Sequence, residues 1–328
     1  MKHKNVLEKM WKAMEDKPEQ RRTYLGMSTF GTHCNRKQWL EFRHAFDPKT
    51  NYQSESHFAD GHHSEDVLIS RLKAAGVELF DKAENGEQFA LQDMYWLRGH
   101  QDGIIVIDKT PHVWEAKSTD DKKKAKLAKL IQEDEGTALK KWDENYYAQA
   151  ILYCGYSGIH KHILMACSHG AREKLNSTGD HRTVVVETDF DENYFNELKA
   201  KAKDVIVSDA LPEPAWSLQY DKPLCVWKTG QCEAYEYCKG RHIGKPNCRN
   251  CGYCEFTLSG ANCTKTGDAL NEKEMVDFKE CHKYHPNIIH WLDLIEMDES
   301  GNVVYRDDSG NEFINKNSLD FYELINGV

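Results

Sequence analysis

Long apolar runs are missing from this chain of 328 residues. The cleanest stretches are as short as Gly103-Ile104-Ile105-Val106-Ile107, far below the roughly 20 residues that cross a bilayer. That excludes a membrane-embedded helical protein. Internal repeats and long low-complexity tracts are missing too, which excludes a solenoid, a collagen, a coiled-coil rod and a wholly disordered chain. An excess of positive charge is also lacking: 43 Lys and Arg stand against 53 Asp and Glu, a net charge of -10. A basic coat protein for nucleic acid is therefore not expected. A nucleic-acid substrate is still allowed, because carboxylates can hold cations that neutralise phosphate, and lysines can gather on one face. The opening, Met1 to Lys9, lacks the apolar core of a signal peptide, so the expected compartment is the cytoplasm.

What is present is a polar globular composition, 40% hydrophobic and 29% charged. A chain of this length can bury about 75% of its unfolded surface and needs no disulfides to hold together. The 11 cysteines, an odd number in a reducing compartment, therefore suggest metal ligands.

Pattern divides the chain into four segments. Residues 1–24 read as a helical arm ended near Pro18. Residues 25–210 read as an α/β core, 211–290 as a cysteine-rich metal-binding domain set off by Pro212, Pro214 and Pro223, and 291–328 as a short β tail. Inside the core, helices are expected over 35–42 (capped by Thr32), 61–75, 138–154 and 192–207. Strands are expected over 77–80, 89–91, 103–107, 113–116, 161–167 and 183–188. Residues 47–57 read as a loop, and 119–136 as a polar, lysine-rich stretch.

Four fragments of the core carry chemistry. Glu115 and Lys117 are two apart on a strand and so share a face. A hairpin turning near Asp108-Lys109-Thr110-Pro111 would return Asp102 to the side of Glu115. Two carboxylates and an ammonium on one face make a hard-oxygen pocket suited to Mg²⁺ or Mn²⁺. An acid-x-Lys triplet alone is uninformative, since Asp121/Lys123, Glu197/Lys199 and Asp277/Lys279 have it too. Only Glu115/Lys117 lies in an apolar strand preceded by another acidic strand. Glu65 falls on the apolar stripe of its helix with Leu68 and Leu72, and Gln149 is the polar member of the stripe Trp142, Tyr146, Gln149, Tyr153.

Asp102, Glu115-Ala116-Lys117, Gln149-x-x-x-Tyr153 and the preceding Gly61-x-x-x-Glu65 together resemble the PD-(D/E)XK nuclease superfamily, in its RecB-like and phage-lambda-exonuclease-like branch. The resemblance implies a restriction-endonuclease-like core, a mixed central sheet flanked by helices. It implies a metal held by Glu65, Asp102, Glu115 and the Ala116 carbonyl, with Lys117 orienting the attacking water and Gln149 and Tyr153 shaping the site. Gln101 stands where the family name has proline. His62, His63 and His100 lie close enough in sequence to join the site. DNA is the implied partner, with Lys140 and Lys141 on its backbone and Arg36 on a terminal phosphate. The implied activity is exonucleolytic, in phage recombination, replication or host-DNA degradation, inside the host cytoplasm. A phage recombination or single-strand-binding protein would be a fitting partner, and an oligomer is compatible. The alternatives are a structure-selective or CRISPR-adaptation-like endonuclease and, in another class, a non-catalytic DNA-binding scaffold.

Eight cysteines fall within residues 225–281. Cys248-x2-Cys251 followed by later cysteines is a tetrahedral zinc pattern. The expected set is Cys248, Cys251, Cys263 and Cys281, with Cys254 or His285 as substitutes. Cys225, Cys232 and Cys238 form a trio short of one ligand, and Cys34 can complete it. Some relatives in the same nuclease branch hold a 4Fe-4S cluster with one cysteine before the core and three after it, so an iron–sulfur cluster or a second zinc is expected there. Cys154 and Cys167 sit in apolar segments and read as core residues.

Overall fold

A computed structural model of the chain describes residues 4–15, 21–32, 34–46, 52–168, 183–214, 226–227, 230–238, 242–276, 281, 292–297, 303–307, 309–315, 322–323 and 327. Cys225 and His285 lie outside the described residues. Three helices come first: α1 (Lys4–Glu15), α2 (Asn35–Phe42) and α3 (Tyr52–Ala74). The cap of α2 is Cys34 and not Thr32, because the Cys34 sulfur accepts from the Lys37 N–H. Helix α3 takes in part of the expected loop at 47–57, starting nine residues before Gly61.

The central sheet is mixed, ordered β2 (Leu79–Phe80), β5 (Gly103–Ile107), β6 (Thr110–Ser118), β7 (Lys161–Cys167), β8 (Thr183–Asp189). Only the β6–β7 pair is parallel. That pair needs a crossover, and two helices supply it. They are α4 (Asp121–Trp142) and α5 (Glu144–Ser157), where the sequence pattern gave a lysine-rich stretch and one helix. Asp120 caps α4, and Asp143 caps α5 through the N–H groups of Asn145 and Tyr146. Helix α4 buries Leu127 and Leu139 and turns its lysines outward, apart from Lys124, which is buried and paired with Asp121. Helix α6 (Glu192–Val207) packs beside α5.

Helix α3 covers one face of the sheet, over Leu79, Ile105, Trp114 and Ile163, and the larger core lies on the opposite face with α4 and α5. A second, smaller sheet joins β1 (Leu25–Gly26), β4 (Leu97–Gln101) and β3 (Phe89–Asp93). Strand β4 was not anticipated: its glycine, arginine and histidine hide the alternation. The chain passes from β4 to β5 through the single residue Asp102, which becomes a corner between two sheets. Gly103 makes the corner tight, since a Cβ there would stand 2.7 Å from the Phe80 carbonyl oxygen.

The cysteine-rich segment contributes β9 (Val226–Trp227), β10 (Gly230–Gln231), α7 (Tyr235–Cys238), β11 (Cys254–Thr257), β12 (Gly260–Cys263), β13 (Ala269–Leu270) and α8 (Glu272–Val276). Its apolar side chains Phe256, Ala261 and Met275 belong to the same core as Trp39 and Trp96. Trp96 donates its indole N–H to the Thr257 carbonyl at 2.9 Å, and Arg249 donates to the Phe42 carbonyl from Nε at 2.9 Å and Nη2 at 2.6 Å. The tail forms a meander of β14 (Leu292–Met297), β15 (Val303–Asp307) and β16 (Glu312–Asn315), the first of which the sequence pattern did not show. Among the described residues no helix is long and apolar enough to cross a membrane.

Candidate active site

The β5–β6 hairpin closes through Asp108 and Lys109, both with positive φ (50° and 66°), and Ile107 pairs with Thr110. This two-residue turn fixes the register. Gly103 then pairs with Trp114, so Asp102 stands beside the Glu115–Ala116 step. The Ala116 N–H donates to Asp102 Oδ2 at 2.9 Å. Glu115 and Lys117 share a face, and the Lys117 ammonium donates to Glu115 Oε1. Gln149, on α5, donates from Nε2 to the same Oε1 at 2.8 Å. The ammonium also sits 5.2 Å from the centre of the Tyr146 ring, a cation–π contact. The Tyr153 hydroxyl lies against Gln149 and the backbone of His100.

Glu65 comes from α3 and completes the group. It lines, with Asp102, Glu115, Ala116, Lys117, Gln149 and Tyr153, one cleft of about 440 Å³. Three carboxylates face one ammonium. Burial raises the pKa of Asp102, Glu115 and Glu65; Glu65 raises that of Asp102 further, Asp102 that of Glu115 and Glu115 that of Glu65, while Lys117 pulls all three down. Burial disfavours the Lys117 ammonium, but Glu115 and Asp102 outweigh it and hold its pKa above the lysine range. Glu115 is 3% exposed, and its Oε2 is buried without a hydrogen-bond partner. A buried carboxylate oxygen with no donor is costly, and a divalent cation bound by these acids would satisfy it. The donor set, hard oxygens with surplus negative charge, fits Mg²⁺ or Mn²⁺. Among the described residues, no group of three or more His, Cys, Asp or Glu side chains is drawn up as a finished ligand set.

His62 and His100 line the cleft as well, whereas His63 does not. Arg36 points elsewhere, to the carbonyls of Pro212 (2.5 Å) and Cys238 (3.5 Å). Lys140 lies over the Tyr147 and Tyr194 rings, and Lys141 is 4.0 Å from Asp134; neither lines the cleft. The cations that do line it besides Lys117 are Arg22 and Arg98, with Tyr24 and Ser28 nearby. Arg22 Nη1 is 3.5 Å from Ser28 Oγ, and Arg98 stacks on Tyr24 and Tyr95. No sequence pattern marks Arg22. Arg98 adjoins the Gly99–Asp102 motif, and that adjacency was its only signal.

The cysteines gather at two further places. Cys34, Cys232 and Cys238 border one small cavity with Lys37 and Tyr235, although 198 residues separate the first two. Cys248, Cys251, Cys254, Cys263 and Cys281 border another of about 50 Å³. The described cysteines form no disulfide. Cys154 and Cys167 are buried in the core.

No family model and no curated protein matches the chain. Solved structures give a partial likeness. A phage-related exonuclease from Haemophilus somnus 129PT is 15% identical over 45% of this chain and 68% of its own, with a TM-score of 0.33. An alkaline exonuclease (LHK-Exo) from Laribacter hongkongensis is 12% identical over 60% of this chain and 90% of its own, with a TM-score of 0.39. Its complex with dAMP gives 12%, 56% and 87%, with a TM-score of 0.38.

Proposed function

We propose that the chain is a metal-dependent deoxyribonuclease that hydrolyses phosphodiester bonds, acting as an exonuclease. The observation that carries this reading is the convergence of Glu65, Asp102 and Glu115 with Lys117 in one open cleft, where a buried Glu115 oxygen has no partner. Hydrolysis forms a bond from a water oxygen to phosphorus and breaks the bond to the leaving sugar oxygen, which takes a proton. The three carboxylates and the Ala116 carbonyl would hold a divalent cation, which would supply positive charge to the phosphate and lower the pKa of a water. Lys117 keeps a fixed ammonium where negative charge grows in the transition state, and Glu115 and Tyr146 hold it there. Gln149 fixes the Glu115 carboxylate in turn. Arg22 and Arg98, at the edge of the cleft, suit the flanking phosphates. Cys34, Cys232 and Cys238, which border one cavity, would hold a second metal centre, either 4Fe-4S or zinc; Cys225, the further ligand expected from the sequence, lies outside the described residues. A brown preparation with broad visible absorption selects the first, and colourless zinc-containing protein the second.

The test is a nuclease assay of wild type, Lys117→Ala and Asp102→Asn on linear, circular, nicked and single-stranded DNA with Mg²⁺ or Mn²⁺. Each variant is expected to lose about 10²-fold or more in rate. Equal activity in all three removes the catalytic reading. Circular DNA cut as fast as linear replaces exonuclease by endonuclease, and binding without cleavage by wild type leaves a scaffold.

A further inference from the structure

Two arginines are buried where α2 meets the cysteine-rich segment, and among the described residues neither has a carboxylate within ion-pair distance. Arg43 and Arg249 are both 0% exposed. They lie 4.7 Å and 5.2 Å from the Phe256 ring centre. Their hydrogen bonds go to neutral carbonyls, those of Ser208 and Ile206 for Arg43 and that of Phe42 for Arg249. Arg43 Nε, Arg43 Nη1 and Arg249 Nη1 have no acceptor. Aromatic faces and carbonyl dipoles offset part of the cost, yet two desolvated like charges call for an anion. Both arginines have Cys254 as a neighbour, at the edge of the five-cysteine cavity.

Five cysteines border this cavity. Cys248 and Cys251 bracket a single 3₁₀ turn over Cys248–Asn250, with the Cys251 N–H donating to the Cys248 carbonyl at 3.2 Å. Cys263 pairs with Cys254 across the β11–β12 hairpin and opens a tight turn closed by Gly267, whose φ is +80°. In that turn the Gly267 N–H donates to the Cys263 carbonyl at 2.8 Å. Cys281 reaches the same cavity from beyond α8.

We propose that Cys248, Cys251, Cys263 and Cys281 hold one Zn²⁺ as a tetrathiolate, and that the net negative charge of this centre is the counter-charge for Arg43 and Arg249. Four thiolates on a divalent ion leave two negative charges, which match two guanidinium groups. Cys254 stays in the wall between the metal and the arginines. The site is structural: all four coordination positions are protein sulfur, and it stands apart from the acidic cleft. Its failure and that of the nuclease reading are separate results.

Metal analysis of the full-length protein tests the proposal. Wild type is expected to carry zinc, and Cys248→Ser and Cys263→Ser to lose one equivalent per chain, while Cys154→Ser keeps that equivalent. Because a variant that loses the metal can also lose its fold, wild type is exchanged with Co²⁺. Thiolate-to-cobalt charge transfer with tetrahedral visible bands is expected, and a mercurial should release one ion per four thiols titrated. Zinc content unchanged in Cys248→Ser and Cys263→Ser, iron in place of zinc at this site, or no tetrahedral cobalt spectrum overturns the assignment. Arg43→Gln and Arg249→Gln should each surrender zinc to a chelator about tenfold faster. Unchanged release in both overturns the counter-charge role.

Discussion

Glu115 and Lys117 were legible as residues because a strand fixes the direction of every second side chain. In the structure His162 lies on the same face of the sheet, since it pairs in register with Val113 on β6. His162 is 1% exposed, both ring nitrogens lack a partner, and Lys117 and His112 face it. Burial, then those two neighbours, lowers its pKa from 6.5 to about 3. The folded chain therefore keeps a neutral imidazole where the unfolded chain takes up a proton. Its contribution to stability is whole above pH 6.5 and is lost progressively as pH falls toward 3, because the unfolded state then binds one proton more. His162→Leu should flatten the dependence of the urea midpoint on pH below 6.5, by up to about 1.4 kcal/mol per pH unit. Parallel curves for the two proteins would contradict this.

At the scale of elements, the surprises have local causes. Residues 119–136 read as a solvated stretch because lysines dominate the composition. Asp120, a cap whose carboxylate accepts from the Lys123 N–H at 2.8 Å, and the spacing of Leu127, Leu130 and Ile131 were the helix signals within it. The expected single helix over 138–154 is broken by Asp143, which ends α4 and caps α5 at once. Helix α5 carries Gln149 and Tyr153, so this cap helps set the site. Asp143→Ala leaves two N–H groups unsatisfied and should cost about 1 kcal/mol. A urea titration followed by circular dichroism measures it, and an unshifted midpoint would show that the cap contributes nothing.

On the scale of the whole molecule, the cysteine-rich segment reaches the edge of the cleft. Glu272, on α8, forms an ion pair with Arg98 and accepts from Thr23 Oγ1 at 2.5 Å. Both side chains of the pair are under one-third exposed, so solvent screens the interaction less than at an open surface. A double-mutant cycle of Arg98→Met and Glu272→Gln should give a coupling of about 1–2 kcal/mol in stability. A coupling near zero would mean that the two parts of the chain are held together by their shared core alone.

The chain's own pattern determined the apolar strands, the placement of Glu115 and Lys117 on one face, the hairpin that returns Asp102, and the clustering of cysteines, because each depends on a spacing of a few residues. Only the tertiary structure decided that Arg22 and Arg98, not Arg36, Lys140 or Lys141, line the cleft, and that two buried arginines have Cys254 as a neighbour; it also brings Cys34 to Cys232 and Cys238, as the count of cysteines had suggested. Those pairings join residues up to about 200 positions apart, and no periodicity reports them. They arise when separate elements bury their apolar faces in one core and carry their polar side chains along.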